Sequence, residues 1–184
     1  MRLFIAVKIP EDLKAKIASI QDRLDSTDDD IKLVEPENLH FNLKFIGEYE
    51  LNSLPKLKAA MDSICSQFEA FDAHIADIGT FPSPTFIRTI WLGMKKGGQA
   101  LSAIAESIEM GLESLGITKD ERGFTPHLTL ARVKGRCSPE LISVIRELKG
   151  IDIGSFKVEE ITLFESKLTP KGPIYSEIHS VKLR

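Results

Sequence analysis

The chain has 184 residues, 42% hydrophobic and 28% charged, which is the balance of a folded globular protein and too apolar for a disordered one. A chain of this length buries roughly 70% of the surface it exposes when unfolded, so it needs no metal or disulfide to fold. Its 24 basic and 27 acidic side chains give a net charge of −3, which argues against coating of long nucleic acid through overall charge but leaves room for one small basic pocket. Residues 3–7 are a short apolar run ended by Pro10 and read as a buried strand. The run is too short for a signal h-region, and no stretch approaches the length of a membrane span. Residues 11–24 carry Leu13, Ile17, Ile20 and Leu24 at helical spacing. Residues 25–30 read as a solvated acidic loop, because they lack the Gly and distal Glu of a calcium loop. A strand follows over residues 39–46 and a helix over 54–68. Two strands, over 73–81 and 85–94, are joined by Pro82-Ser83-Pro84. A helix over 100–115 stops at Gly116, and a strand spans 127–133. A helix over 139–148 starts with Ser138 as N-cap and Pro139 at its first position. Strands over 156–168 and 174–183 flank the turn Thr169-Pro170-Lys171-Gly172-Pro173.

The order strand, helix, strand, helix, strand occurs twice, before and after Pro84. A constant offset of 87 aligns Phe4 with Trp91, His40 with His127, Asn42 with Thr129 and Leu43 with Leu130. The expectation is one domain over 1–184, with pseudo-equivalent lobes built from residues 1–83 and 84–184 and a cleft between them. Cys65 and Cys137 show no metal or redox spacing, which suits a reducing compartment and a cytoplasmic protein.

The two histidine strands carry the chemistry. In residues 40–45, period-two alternation puts Phe41, Leu43 and Phe45 on one face and His40, Asn42 and Lys44 on the other. In residues 127–130, Leu128 and Leu130 go inward, His127 and Thr129 outward. Each strand therefore offers an imidazole and, two residues on, a hydrogen-bond donor on the same face. Cleavage of a cyclic phosphate needs one group to take a proton from water and another to give one to the departing oxygen. An imidazole with an ordinary pKa of about 6.5 does either near neutrality. Thr129 and Asn42 are suited to donate to the phosphate oxygens, whose charge grows in the transition state.

Four segments extend this picture: residues 2–6, 40–47 (His-Phe-Asn-Leu-Lys-Phe-Ile-Gly), 125–132 (Thr-Pro-His-Leu-Thr-Leu-Ala-Arg) and 166–175. Together they resemble, from end to end, the two-histidine phosphoesterases, and within them the RNA 2′,3′-cyclic phosphodiesterases, also called 2′-5′ RNA ligases. The resemblance implies an α+β bilobal fold with antiparallel sheets flanked by helices around a central cleft. It implies hydrolysis of a terminal 2′,3′-cyclic phosphate to a 2′-phosphate, with no metal and no cofactor. It gives His40 the role of proton donor to the leaving 3′-oxygen and His127 that of the base that activates water. Arg132 matches the family's trailing Arg as a phosphate ligand, although plain alternation puts it on the Leu130 face. The family has Thr where this chain has Asn42. The expected partners are RNA ends or cyclic-phosphate nucleotides bound by a monomer, with no membrane.

Tyr175, just after the Gly-Pro turn, is a candidate for stacking on a base. Phe4 and Trp91 read as core. Lys44 reads as a solvated strand residue, and Lys167 and Lys171 as positive charge at the cleft rim. His74 and His179 lack the flanks of the other two histidines and read as structural. The rival readings are the same site acting on other cyclic nucleotides, ADP-ribose 1″,2″-cyclic phosphate or 2′-5′ linkages; reverse ligation; a non-catalytic RNA-end binder; and, weakest, a metal hydrolase.

Overall fold

The computed structural model describes residues 1–121, 123–170 and 172–184; Lys171, expected at the cleft rim, lies outside the described residues. Among the described residues, nine strands and four α-helices follow one another as β1 (Arg2–Lys8), α1 (Glu11–Asp25), β2 (Ile31–Leu33), β3 (His40–Glu48), α2 (Leu54–Cys65), β4 (Phe71–Ser83), β5 (Phe86–Lys96), α3 (Gly98–Leu112), β6 (Leu128–Val133), α4 (Pro139–Glu147), β7 (Asp152–Val158), β8 (Glu160–Thr169) and β9 (Gly172–Lys182). The strands form one antiparallel sheet in the order β7-β4-β5-β6-β3-β1-β8-β9, with β2 paired to β6. Helices α1 and α4 cover the β7-β4-β5-β6 half, and α2 and α3 pack together over the other. This is the expected α+β, two-lobed architecture. Leu13, Ile17, Ile20 and Leu24 are buried along α1, as their spacing requires. No helix of the described residues is long and apolar enough to cross a membrane.

Two strand assignments differ from the sequence reading. β2 is too short to show a pattern. The single strand expected over 156–168 is two, because the chain passes at Glu159 from one half of the sheet to the other. β7 pairs with β4, and β8 pairs with β1 and β9. No Gly or Pro marks the crossing, so the alternation reads straight through it. β4 and α1 lie in the same half as β5 and β6, and β8 and β9 lie with β1 and β3. Each lobe thus draws on residues from both sides of Pro84.

The halves meet through one residue pair, Phe41 opposite Leu128, both fully buried. Immediately beyond it each central strand carries a β-bulge. Ile5 pairs with Lys44 but Ala6 with Asn42, leaving Leu43 extra; Ile90 pairs with Ala131 but Trp91 with Thr129, leaving Leu130 extra. An extra residue in a strand exchanges its two faces from that point on. Lys44 therefore goes into the interior and Phe45 comes out, the reverse of the simple alternation; Ala131 goes inside and Arg132 comes out. The carbonyl of Leu130 accepts the Val34 N–H at 2.8 Å and Gln21 Nε2 at 2.9 Å, so buried Gln21 holds the second bulge in place. The register also matches Ala6, opposite Asn42, with Trp91, opposite Thr129. The offset between β1 and β5 is thus two residues short of 87, and Phe4 is not the counterpart of Trp91.

The inward turn of Lys44 creates a buried ion pair. Its ammonium donates to Glu109 Oε2 at 2.6 Å and to the Thr118 carbonyl at 2.7 Å, with 3% of the Lys44 side chain exposed. This ties β3 to α3 and to the segment that leads toward His127. Removing one member of such a pair strands the other without a partner. Lys44→Met is expected to lower unfolding stability by about 3 kcal/mol, and Lys44→Met/Glu109→Leu to recover most of that. Urea denaturation checks both through the midpoint at unchanged slope.

Candidate active site

His40 opens β3 directly after a 3₁₀ turn over Pro36–Asn38, and His127 is the last residue before β6. They flank the Phe41–Leu128 pair, so antiparallel geometry sets His40 across from Thr129 and His127 across from Asn42. Both rings are held in the same way. His40 Nδ1 lies 2.7 Å from the Asn38 carbonyl, and His127 Nδ1 lies 2.7 Å from the Thr125 carbonyl. A carbonyl only accepts, so each Nδ1 carries its proton and Nε2 is left as the reactive nitrogen.

The surroundings of the two rings differ. His40 sits against Phe4 (centroids 4.9 Å apart) and takes the edge of Tyr175 at 5.5 Å; Phe4, Ala6 and Phe164 form a small apolar cluster beneath it on the cleft side. Burial holds the His40 pKa below its ordinary 6.5, the nearby His127 adds to this, and the Asn38 carbonyl opposes it only in part. His127 is backed by Phe81 at 5.1 Å and Trp91 at 6.2 Å. The Trp91 ring in turn lies flat on Gly79, where a Cβ would come within 2.2 Å of it.

A cleft of about 570 Å³ opens over both rings. It is lined by every residue expected at the site: His40, His127, Asn42, Thr129, Arg132 and Tyr175. Arg132 arrives there because of the Leu130 bulge, and two further cations, Arg2 and Lys32, line the same space against one carboxylate, Glu35. None of these three cations is in an ion pair among the described residues. A basic pocket thus exists inside an acidic chain. Burial raises the Tyr175 pKa above its ordinary value despite Arg132 and Arg2, which keeps the phenol a neutral donor at physiological pH. Lys167 pairs with Glu165 at 3.4 Å rather than lining the cleft. His74 bridges Ser155 and Asp152, and His179 binds Asp62, both outside the cleft.

Sequence reasoning missed Arg2, Lys32, Phe45 and Asn38. Phe45 lines the cleft with half its surface exposed and the Arg2 guanidinium 5.0 Å from its ring centre; only the Leu43 bulge brings it there. Asn38 is nearly buried. Its backbone carbonyl orients His40, and its side-chain Nδ2 donates to the Pro173 carbonyl at 3.0 Å, two residues before Tyr175. One residue therefore fixes both the ring and the hairpin that covers it. Its position two before a motif histidine was the available signal.

A family model described as LigT-like phosphoesterase matches the chain twice, over residues 7–91 and 92–175. Among curated relatives, an RNA 2′,3′-cyclic phosphodiesterase of Methanothermobacter thermautotrophicus is 39% identical over all of this chain and 99% of its own length. A protein of the same description from Methanocaldococcus jannaschii is 40% identical over 97% of this chain and 98% of its own. Among solved structures, TT0787 of Thermus thermophilus superposes with a TM-score of 0.85 at 29% identity, covering all of this chain and 98% of that one. Escherichia coli LigT complexed with 3′-AMP superposes with a TM-score of 0.80 at 24% identity, over 99% and 97% of the two chains. The twice-repeated match and the end-to-end likeness agree with the motifs around His40 and His127: the chain belongs to the LigT-like phosphoesterase family.

Proposed function

We propose that this protein hydrolyses the 2′,3′-cyclic phosphate at RNA ends to a 2′-phosphate, with His127 as base and His40 as acid. The observation that carries the reading is the pair of imidazoles lining one cleft, each with Nδ1 committed to a backbone carbonyl and Nε2 without a partner among the described residues. His127 Nε2 takes a proton from water as the water oxygen bonds to phosphorus. The P–O3′ bond breaks, and His40 Nε2–H gives its proton to the 3′-oxygen. The charge that builds on the non-bridging oxygens meets Thr129, Asn42 and Arg132. Phe45 and Tyr175 offer apolar ring surface beside them for a nucleobase. Solvent then resets the two rings. The assignment of donor and acceptor rests on the match to the family motifs, and the shared fold and basic cleft support it. Both histidines come from one chain, which supports a monomer, and the free Cys65 and Cys137 support a reducing, cytoplasmic setting.

The direct test is a short oligonucleotide ending in a 2′,3′-cyclic phosphate, with the 2′- and 3′-phosphate products resolved; the expected product is the 2′-phosphate. His40→Ala and His127→Ala are each expected to lower kcat by 10²–10⁴-fold. Wild-type turnover is expected to continue in EDTA, because acid, base and electrostatic donors are all side chains.

The pH dependence follows from burial of His40. The acid must be protonated to act, and its pKa is lowered in the free enzyme, so kcat/KM is expected to decline as pH rises from below 6.5. A bound phosphate anion favours the imidazolium, so the same limb in kcat is expected at higher pH. Profiles of both parameters across pH 5 to 9 check this.

Asn38 acts through His40. Asn38→Ala keeps the backbone carbonyl but frees it from its side-chain anchor on Pro173, and is expected to reduce kcat about tenfold with a smaller change in KM, and to move the alkaline limb to still lower pH as that carbonyl holds the ring less well. Asn38→Asp keeps the shape but has no donor for the Pro173 carbonyl, and is expected not to restore the rate. Steady-state kinetics across pH separate this from a loss of folded enzyme.

A further inference from the structure

A second groove, of about 960 Å³, lies beyond the far ends of β5 and β6. Its walls are the tip of the β4–β5 hairpin, the segment after β6 and the exposed side of α4. Three arginines line it, Arg88, Arg136 and Arg146, and no carboxylate does. Arg136 and Arg146 are in no ion pair among the described residues. Arg88 donates to the Gly135 carbonyl, and its guanidinium lies 4.3 Å from the ring centre of Phe86. Phe86 is a large aromatic side chain with 54% of its surface exposed. Of the carboxylates in the neighbouring segments, Asp29 accepts the Ser138 N–H at 2.8 Å and its hydroxyl at 2.6 Å, Glu147 pairs with Arg23 at 2.8 Å, and the exposed Glu140 beside Pro139 does not line the groove. A chain of net charge −3 thus keeps three unneutralised guanidinium groups beside one exposed ring.

The groove shares no lining residue with the cleft, but the two lie close together along the chain. Arg132 lines the cleft and Arg136 the groove, four residues on, at most about 13 Å along an extended chain. Across the ladder, Thr89 pairs with Arg132, and Arg88, the adjacent residue, points to the other face of the sheet, so a strand passing from cleft to groove would round the ends of β5 and β6. Guanidinium groups bind phosphates through two parallel N–H bonds, and an exposed ring stacks on any base. Phosphates spaced along a flexible strand with bases between them match this surface better than a single anion does.

We propose that this groove holds the single-stranded RNA that trails from the reactive end, so that Arg88, Arg136, Arg146 and Phe86 select polynucleotide over mononucleotide substrates. The inference rests on the reading of the cleft as a cyclic phosphodiesterase. It is tested on two substrates: a nucleoside 2′,3′-cyclic monophosphate, which fills the cleft alone, and an oligonucleotide of about a dozen nucleotides with the same end. Arg136→Ala/Arg146→Ala is expected to raise KM for the oligonucleotide about tenfold and to leave the mononucleotide unchanged. The slope of log KM against log salt for the oligonucleotide is expected to fall by about 0.7 for each phosphate that the variant no longer neutralises. Phe86→Ala is expected to raise the oligonucleotide KM several-fold with no change in salt slope. Equal effects on both substrates, or no effect on the oligonucleotide, overturn the proposal. If wild-type protein cleaves neither substrate, it is the reading of the cleft that fails. Fluorescence anisotropy of the labelled oligonucleotide then decides the groove: weaker binding by the double variant supports it, and unchanged binding overturns it.

Discussion

The two halves of the sheet share a single backbone pairing, Phe41 with Leu128, and the site depends on it. A longer ladder there would flatten the junction and leave no cleft. With no pairing, the histidines on either side would have no fixed relation. One buried pair sets the distance between the strands at that point and lets them diverge immediately afterwards. The bulges at Leu43 and Leu130 complete the arrangement by turning Phe45 and Arg132 outward at equivalent places. The cleft thus gains an aromatic ring from one strand and a cation from the other, at equivalent places in strands of the same design.

The two imidazoles are alike in their Nδ1 bonds and unlike in their surroundings. His40 lies under a hairpin, against Phe4 and Tyr175, with its acceptor anchored by a nearly buried Asn38. His127 follows an exposed Thr125 on a loop, backed by Phe81 and Trp91. Burial depresses the proton affinity of His40, and the substrate's own negative charge acts in the opposite sense. In the proposed mechanism, an acid that is weakly basic alone and better protonated with an anion beside it would be loaded chiefly when there is something to cleave.

What the sequence discloses follows from what is periodic. The helical spacing of Leu13, Ile17, Ile20 and Leu24 and the apolar run of residues 3–7 identify their elements because local burial dictates the pattern. His40, Asn42, His127 and Thr129 are legible as two copies of one motif, each ahead of its bulge. Past the bulges the pattern misleads: Lys44 looks solvent-facing and is buried, Phe45 looks buried and is exposed, and Arg132 reads as core-facing and lines the cleft. A bulge is set by hydrogen bonding to a neighbouring strand, and the donor that stabilises the second one, Gln21, lies 109 residues from Leu130. Arg2, Lys32 and Asn38 reach the cleft through contacts between distant segments, and no local spacing announces such contacts. The exchange of strands between the lobes was hidden for the same reason, since the crossing at Glu159 has no turn residues.

That exchange has a mechanical consequence. β4, from the first part of the chain, is paired between β5 and β7, while β8, from the second, is paired between β1 and β9. Neither lobe is a contiguous length of polypeptide, so neither contains its own complete set of strands when the other is missing. A polypeptide severed in the β4–β5 hairpin would leave two fragments, each lacking part of both hydrophobic layers, that regain a sheet only by reassociating. The same interlacing resists a clamshell motion: swinging the lobes apart would strain connections that pass between them several times.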